Sequence, residues 1–282
     1  MDGAAAIVRD WASTHGIDAV VRARDMERVE LPVVDDDEFV ATVSGVLSLG
    51  GDGTMLGALR LMVDRPVPVL GVNLGRLGFL AEVEPDEMPR ALERLVAGEF
   101  TVEPHSCLEV GYRDEATVAF NDTALCRVPG AGFVQATLTV DGHRHGYFKC
   151  DALIVATPTG STAYSYAAGG PVVSPAAQGM LVTPASPLNG ISRPVFLAPE
   201  ERIEFELIEG AGRPALERDG MVQTHLEVGD RVTVRSRAEA GLVVRFDAPS
   251  YHQRNRVKLS LLDLPFLPDE LRDMLPEPPG GS

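Results

Sequence analysis

The sequence predicts an α/β unit up to residue 102, followed by an all-β region. Three observations carry this. Near-continuous apolar runs at 40–49 and 67–72 read as strands buried on both faces of a parallel sheet. Apolar residues at helical spacing lie before, between and after those runs. From 101 to 245 helical periodicity almost vanishes, and short alternating runs take its place.

Taken in order, residues 4–15 read as a helix with Ala5, Val8, Trp11 and Ala12 on one face and Gly16 as its stop. Residues 17–21 read as a short strand, and 40–49 as the first buried one. Gly50, Gly51 and Gly53 follow, then helical spacing over 55–63 that Pro66 ends. Residues 67–72 give the next buried strand. An amphipathic helix spans 86–97, with Pro89 in its first turn and Gly98 past its end. Short strands are expected at 108–112, 117–120, 135–140, 153–156, 202–208 and 231–234, with Asp141-Gly142 as a hairpin turn. The expected organisation is 1–102 as the α/β domain and 103–248 as the β-rich domain. Residues 249–282 are expected to return to the first domain and end in a disordered Pro- and Gly-rich tail.

Composition limits the partners. Against 41 Asp plus Glu stand 25 Lys plus Arg, a net charge of −16, and no basic stretch is available to follow a nucleic-acid backbone. With 45% hydrophobic and 23% charged residues, the chain is neither a disordered polymer nor a disulfide-dense miniprotein. Lys149 and Lys258 are the only lysines, and acidic residues are spread along the chain. This fits adaptation to high salt, as in a halophilic archaeon, and a GC-rich genome produces the same Arg-for-Lys bias. Cys107, Cys126 and Cys150 show no CxxC spacing, so reduced thiols and no zinc site are expected. No apolar stretch reaches the roughly 18 residues of a membrane span, and no signal peptide opens the chain. A cytoplasmic location is expected.

Two segments carry chemistry. Gly50-Gly51-Asp52-Gly53-Thr54 sits where a buried strand hands over to a helix, the edge at which α/β sheets bind ligands. Glycines there permit positive φ and close approach of an anion, and the helix start supplies partial positive charge. Gly50, Gly51, Gly53 and Thr54 are thus candidate phosphate contacts. A carboxylate in such a cradle repels phosphate, so Asp52 either takes a proton from a nucleophile, holds a metal, or caps a turn. The functional reading makes it a general base toward a hydroxyl that attacks a phosphoryl group, with Mg²⁺ neutralising the phosphates. The second segment is Thr157-Pro158-Thr159-Gly160-Ser161-Thr162-Ala163-Tyr164-Ser165, followed by Gly169-Gly170-Pro171. Its hydroxyls and amides suit a nucleotide, and Tyr164 suits stacking on a base; an ordinary turn with Tyr164 in the core is the alternative. Asn121-Asp122 offers an amide and a carboxylate for ribose hydroxyls, or is a simple turn. Asp151, close to Lys149, is either an exposed ion pair or the wall of a pocket.

In combination these segments resemble the NAD kinase family, which carries a GGDGT loop, a GVNxGxLGFL segment, Asn followed by an acidic residue, and TPTGSTAYS. Here they stand as residues 50–54, 71–80, Asn121-Asp122 and 157–165, and order and spacing agree over about 40–260. The resemblance implies a Rossmann-like domain followed by a β-rich, sandwich-like one. It also implies transfer of a phosphoryl group from ATP or polyphosphate to the 2′-hydroxyl of the adenosine ribose of NAD. It makes Asp52 the proton acceptor and Asp52 and Gly53 neighbours of both substrates. Asn121, Asp122, Lys149, Asp151, Thr162, Ala163, Tyr164, Ser165, Tyr166 and Ala167 would line the NAD pocket, with Ala185 at the adenine end. A divalent metal and a homodimer or homotetramer are implied as well. Three departures stand out: the chain opens in a helix where the family opens in a strand, His105-Ser106-Cys107-Leu108 lacks the usual Arg, and Met221 stands where Gln follows Asp-Gly, with Gln223 two residues on. A lipid or sphingoid-base kinase sharing the loop, and a non-catalytic NAD sensor, are the alternatives.

Overall fold

Contact density divides the computed structural model, which describes residues 2–28, 31–74 and 80–246, into two units. The first holds Met1–Met55, Pro68–Glu103 and the chain from Val243; the second holds Leu56–Val67 and Pro104–Leu242. The expected third segment, 249–282, and the centre of the Gly71–Leu80 motif lie outside the described residues.

In the first unit α1 (Asp2–His15) leads to a parallel pair, β1 (Val21–Arg22) with β2 (Val33–Val34). Then come α2 (Asp36–Thr42), β3 (Val46–Gly50), α3 (Asp52–Leu61), β4 (Pro68–Asn73) and α4 (Met88–Ala97). β3 and β4 pair in parallel, from Val46 opposite Val69 to Gly50 opposite Asn73. Their side chains Leu47, Leu49, Leu70 and Val72 share one core with Ala4, Ile7 and Val8 of α1 and Met88, Ala91 and Leu95 of α4. Gly98, at φ 72°, ends α4 as expected.

Two expected strands are corrected. Residues 17–20 carry no strand, which is confined to Val21–Arg22. The run 40–49 is not one strand: Val40 and Ala41 belong to α2, and β3 starts only at Val46. The side chain of Asp35 accepts the Glu38 amide and caps α2, and Asp36, Asp37 and Glu38 lie at its positive end. Continuous apolarity does not distinguish a buried strand from the last turn of a helix, whereas the acidic cap does.

Arg245 organises this unit from within. Its guanidinium is 4% exposed and donates to Glu103 (2.6 Å), to Glu82 (3.2 Å) and to the Leu80 carbonyl (3.0 Å). Glu82, equally buried, also accepts the Phe246 amide. Gly71 lets this segment lie close, because a Cβ there would stand 3.0 Å from Ala81 Cα.

The second unit is built of strands: β5 (Thr101–Tyr112, entering from the first unit), β6 (Glu115–Ala119), β7 (Asp122–Cys126), β8 (Val134–Val140), β9 (His143–Cys150) and β10 (Ala152–Ala156). A 3₁₀ turn (Thr159–Thr162) and the short α5 (Tyr164–Ala167) interrupt them. Then follow β11 (Met180–Ala185), β12 (Asn189–Gly190), β13 (Val195–Leu197), β14 (Arg202–Leu207), β15 (Ala215–Arg218), β16 (Met221–His225) and β17 (Arg231–Arg245, whose last three residues belong to the first unit). One antiparallel sheet has the order β13-β11-β10-β7-β15-β16. In the other, β12-β9-β8-β14-β17 are neighbours, and β5 pairs with β6 and β17. Asp141 and Gly142, both at positive φ, make the expected β8–β9 hairpin turn.

The inner faces of the two sheets meet in one apolar core. Leu125, Leu153, Val155 and Val182 come from the first sheet; Leu138, Phe148, Phe205 and Val234 come from the second. The architecture is therefore an α/β unit and a β-sandwich, the class expected from the sequence. Cys107 and Cys150 are buried, and burial pushes both thiols up to about 12, so they are protonated at neutral pH.

Replacing Arg245 by Met should lower unfolding stability by about 3–5 kcal/mol, because Glu82 is left buried without its cation. A urea titration checks this, and a loss under about 1 kcal/mol would show that the network is not a keystone.

Candidate active site

β3 hands over to α3 through Gly50 and Gly51, so that Asp52 is the first helical residue. Gly51 O accepts the amides of Thr54 (3.0 Å) and Met55 (3.1 Å), which closes the first turn. The three glycines differ in their reasons. A Cβ on Gly50 would collide with the Thr54 side chain, whereas at Gly51 and Gly53 no atom of the described residues beyond the chain neighbours and the helix's own backbone lies within 4 Å of one. None of the three takes a positive φ, contrary to expectation. Neither conformation nor internal packing therefore demands glycine at 51 and 53. What their bareness supplies is close access to the amide-rich start of a ten-residue helix.

Asp52 Oδ1 accepts the Leu80 amide at 3.0 Å. Leu80 is itself tethered, since its carbonyl accepts from Arg245. On the other side of the loop, Gly50 O accepts the Leu74 amide. The loop and the two ends of the Gly71–Leu80 motif thus form one local structure inside the first unit.

In the second unit, alternation along β7 turns Leu125 into the sandwich core and places Asp122, Ala124 and Cys126 on the opposite face. On neighbouring strands Ala156 stands opposite Asp122, Ile154 opposite Ala124, and Ala152 opposite both Cys126 and Ala185. Ala124, Ala152 and Ile154, with Cys126, Ala168 and Ala185 against them, make an apolar floor in which every side chain but Ile154 is small. Tyr164 borders it, 39% exposed, with its hydroxyl 3.9 Å from Cys126 Sγ. Burial, with Cys126 beside it, raises the Tyr164 hydroxyl well above the ordinary tyrosine range.

The 157–165 segment packs onto the Asn121 backbone. Thr157 N donates to Asn121 O (2.9 Å), Thr157 Oγ1 donates to Phe120 O (2.8 Å), and the Gly160 amide returns to Thr157 Oγ1 (2.9 Å). A Cβ at Gly160 would fall on the Asn121 carbonyl. Ser161 and Ser165 are fully buried; Ser161 Oγ accepts the Val173 amide, and Ser165 Oγ pairs with Thr183 Oγ1 at 2.8 Å. Thr162 Oγ1 bonds Thr159 O, Ala163 and Tyr166 are half-buried, and Ala167 is exposed.

Asp122 is 5% exposed, and burial pushes its carboxyl up to about 7, helped by the charges of Asp219 and Glu217 and opposed by the Tyr164 amide that donates to it. Asp151 is not paired with Lys149: Arg127 Nε reaches its Oδ1 at 2.9 Å, while Lys149 Nζ lies 5.8 Å over the Phe133 ring. Asp151 N donates to Ala185 O, so these two residues stand together at the far end of the alanine floor. Gln223 Nε2 donates to Met221 O, and both residues lie exposed on β16.

Sequence reasoning missed Asp219. Its side chain, 1% exposed, accepts the amides of Phe120 (3.2 Å), Asn121 (2.8 Å) and Asp122 (3.2 Å), and Arg60 Nη1 reaches it at 2.5 Å. Asp-Gly at 219–220 reads as a hairpin turn, and nothing local shows that the carboxylate serves a strand start 97 residues away.

The chain is similar to known proteins over most of its length. Residues 20–100 match the ATP-NAD kinase N-terminal domain and residues 120–246 the C-terminal domain. The NAD kinase of Gemmatimonas aurantiaca is 37% identical over 223 residues, 77% of each chain. That of Oleidesulfovibrio alaskensis is 36% identical over 264 residues, 91% of this chain and 88% of its own. Among solved structures, yeast NADH kinase complexed with NADH superposes with a TM-score of 0.82 at 24% identity, over 94% of this chain and 86% of that one. An NAD kinase from Archaeoglobus fulgidus in complex with ATP gives 0.67 at 26% identity, over 86% and 97%. These comparisons favour neither a lipid kinase nor a non-catalytic sensor, and they lend no support to a halophilic source. Among the described residues no helix is long and apolar enough to cross a membrane.

The raised Asp122 carboxyl has a signed consequence for stability. Protonated Asp122 favours the fold below the unfolded value of 3.8, and that contribution is lost as pH rises toward about 7. The melting temperature of Asp122→Asn should therefore gain on the parent between pH 5 and pH 7 and run parallel above pH 8. A constant difference across that range would show that Asp122 titrates normally.

Proposed function

The chain belongs to the NAD kinase family, and on that premise we propose how its residues divide the phosphorylation of NAD to NADP. The observation that carries the proposal is Asp52: a carboxylate on the first residue of α3, oriented by the Leu80 amide, between two glycines that no described residue beyond their own turn crowds. Asp52 takes the proton of the adenosine 2′-hydroxyl as that oxygen bonds the terminal phosphorus of ATP or polyphosphate, and the bridging P–O bond to the donor breaks. Gly50, Gly51, Gly53 and Thr54 present the helix start to the donor phosphates, which bare backbone can approach closely. The second unit supplies the acceptor site. Its alanine floor suits a flat adenine ring with Tyr164 alongside, and the carboxylates of Asp122 and Asp151 suit donors such as ribose hydroxyls and an exocyclic amine. Asn121, Lys149, Thr162, Ala163, Ser165, Tyr166, Ala167 and Ala185 complete the lining, Ser165 by holding the turn from inside.

Among the described residues no group of three or more His, Cys, Asp or Glu could hold a metal ion. The family resemblance supplies Mg²⁺, which, carried by water and the donor's own phosphates, would neutralise their charge. A homodimer or homotetramer working in the cytoplasm completes the proposal, with the family resemblance as its support.

Asp52→Asn keeps the oxygen that accepts from Leu80 and removes the base. Turnover should fall by about 10²–10⁴-fold, with the Kd for NAD unchanged by calorimetry; turnover near normal would end the base assignment. Gly53→Ala tests the bare cradle separately. Alanine in a helix is favoured over glycine by roughly 0.8–1.0 kcal/mol, so melting should hold or rise while the KM for ATP increases. Unchanged KM values with ATP and with polyphosphate would place the donor elsewhere.

A further inference from the structure

We propose that the Asp219–Arg60 pair is a positioning device for the acceptor site, fixing the backbone of residues 120–122 and thereby the aim of Asn121 and Asp122 on the dinucleotide. This rests on the reading of Asn121 and Asp122 as NAD contacts.

The geometry is more specific than a turn requires. Asp219 sits at φ 44°, a left-handed conformation uncommon for a residue with a Cβ, and Gly220 follows at φ 75°. This tight β15–β16 turn delivers the carboxylate to three consecutive amides: Oδ2 accepts Phe120 N, and Oδ1 accepts Asn121 N and Asp122 N. The Asp219 amide in turn donates to Asp122 O at 2.9 Å, closing a ring around the start of β7. Arg60, 15% exposed, grips Oδ2 from α3, the helix that opens at Asp52. On its other side the same backbone is held by Thr157 and Gly160. Residues 120–122 are thus clamped between two segments, and their carbonyls and amides are consumed in holding the strand start in place. That leaves the side chains of Asn121 and Asp122 as what the segment presents.

The charge arrangement supplies a readout that a merely structural cap lacks. Facing Asp122 are the carboxylates of Asp219 and Glu217 on the β15 side and the Tyr164 amide from α5. Ala156 pairs with it from β10, and Cys126 lies on its own strand; Arg60 holds Asp219, and Arg218 precedes it. An ionised Asp122 accepts from ribose hydroxyls better than a protonated one, so the KM for NAD should fall as pH rises through the Asp122 titration. Asp219→Asn removes a negative neighbour and should move that fall to lower pH. Arg60→Gln leaves the Asp219 charge uncompensated and should move it to higher pH.

The test is steady-state NADP formation at saturating donor from pH 5.5 to 9 for the parent, Asp219→Asn, Arg60→Gln, Arg60→Lys and Asp122→Asn. Expected are KM increases for NAD of roughly tenfold in Asp219→Asn and Arg60→Gln, the loss of about one charge-assisted hydrogen bond. Smaller changes in kcat, pH midpoints displaced in opposite directions and substantial rescue by Arg60→Lys complete the expectation. Midpoints that stay put or move together, or a loss confined to kcat, would overturn the device. Should Asp219→Asn fail to fold, the two Arg60 variants carry the comparison, and a midpoint unmoved in Arg60→Gln overturns it equally. Asp122→Asn separates the two levels. If it leaves the KM for NAD and its pH dependence as in the parent, the acceptor-site reading falls. If it flattens them while the Arg60 and Asp219 variants behave as the parent, only the device falls.

Discussion

One buried carboxylate accepting three consecutive backbone amides organises the start of β7 in the second unit of this protein. Strand starts leave amides without partners, and a buried amide without an acceptor costs roughly 1–3 kcal/mol. Asp219 resolves that problem for residues 120–122 at once, from a turn that lies far away in sequence. Its own burial is tolerable only because Arg60 meets it and the amides saturate its oxygens. From this follow the rigid start of β7, the face on which Asp122 and Ala124 stand, and the place where the Thr157–Gly160 turn can dock.

The same physics recurs in the first unit with different parts. Arg245 sits between Glu82 and Glu103 and holds the Leu80 carbonyl, while the Leu80 amide orients Asp52. In the first unit a buried arginine fixes the backbone that orients Asp52, and in the second the partly buried Arg60 holds the carboxylate that fixes the backbone of residues 120–122. Arginine suits this work because its planar fork serves several acceptors and stays charged when buried. The near absence of lysine is therefore consistent with how this interior is wired, as well as with a surface bias.

Division of labour among the hydroxyls of the 157–165 segment is instructive. Its composition suggests a row of ligand donors, yet Thr157, Ser161 and Ser165 point inward and are bonded to the fold. The segment acts first as a preformed scaffold, whose rigidity lowers the entropy lost when a ligand is ordered against it. The side chain it leaves at the floor's edge is Tyr164.

Much of this was legible in the sequence. Apolar runs, helical spacing and the change of texture near residue 100 reflect local periodicity, so they predicted an α/β unit and an all-β region without further information. The glycine loop was legible because a strand, a tight handover and a helix are consecutive in the chain. The 40–49 run misled because continuous apolarity looks alike at the end of a helix and in a strand. Of the two readings of Asp151, the ion pair with Lys149 is not formed, because Asp151 lies between β9 and β10, where Arg127 reaches it while Lys149 lies over the Phe133 ring. What the sequence alone determined is therefore everything set by short-range periodicity and turn chemistry, including the identity and order of the motifs. Only the tertiary structure decided which carboxylates are buried, which arginine meets each of them, and which hydroxyls are already engaged. Those outcomes depend on contacts between residues from 12 to 159 positions apart, and desolvation, which sets their energies, exists only once the chain has closed around them.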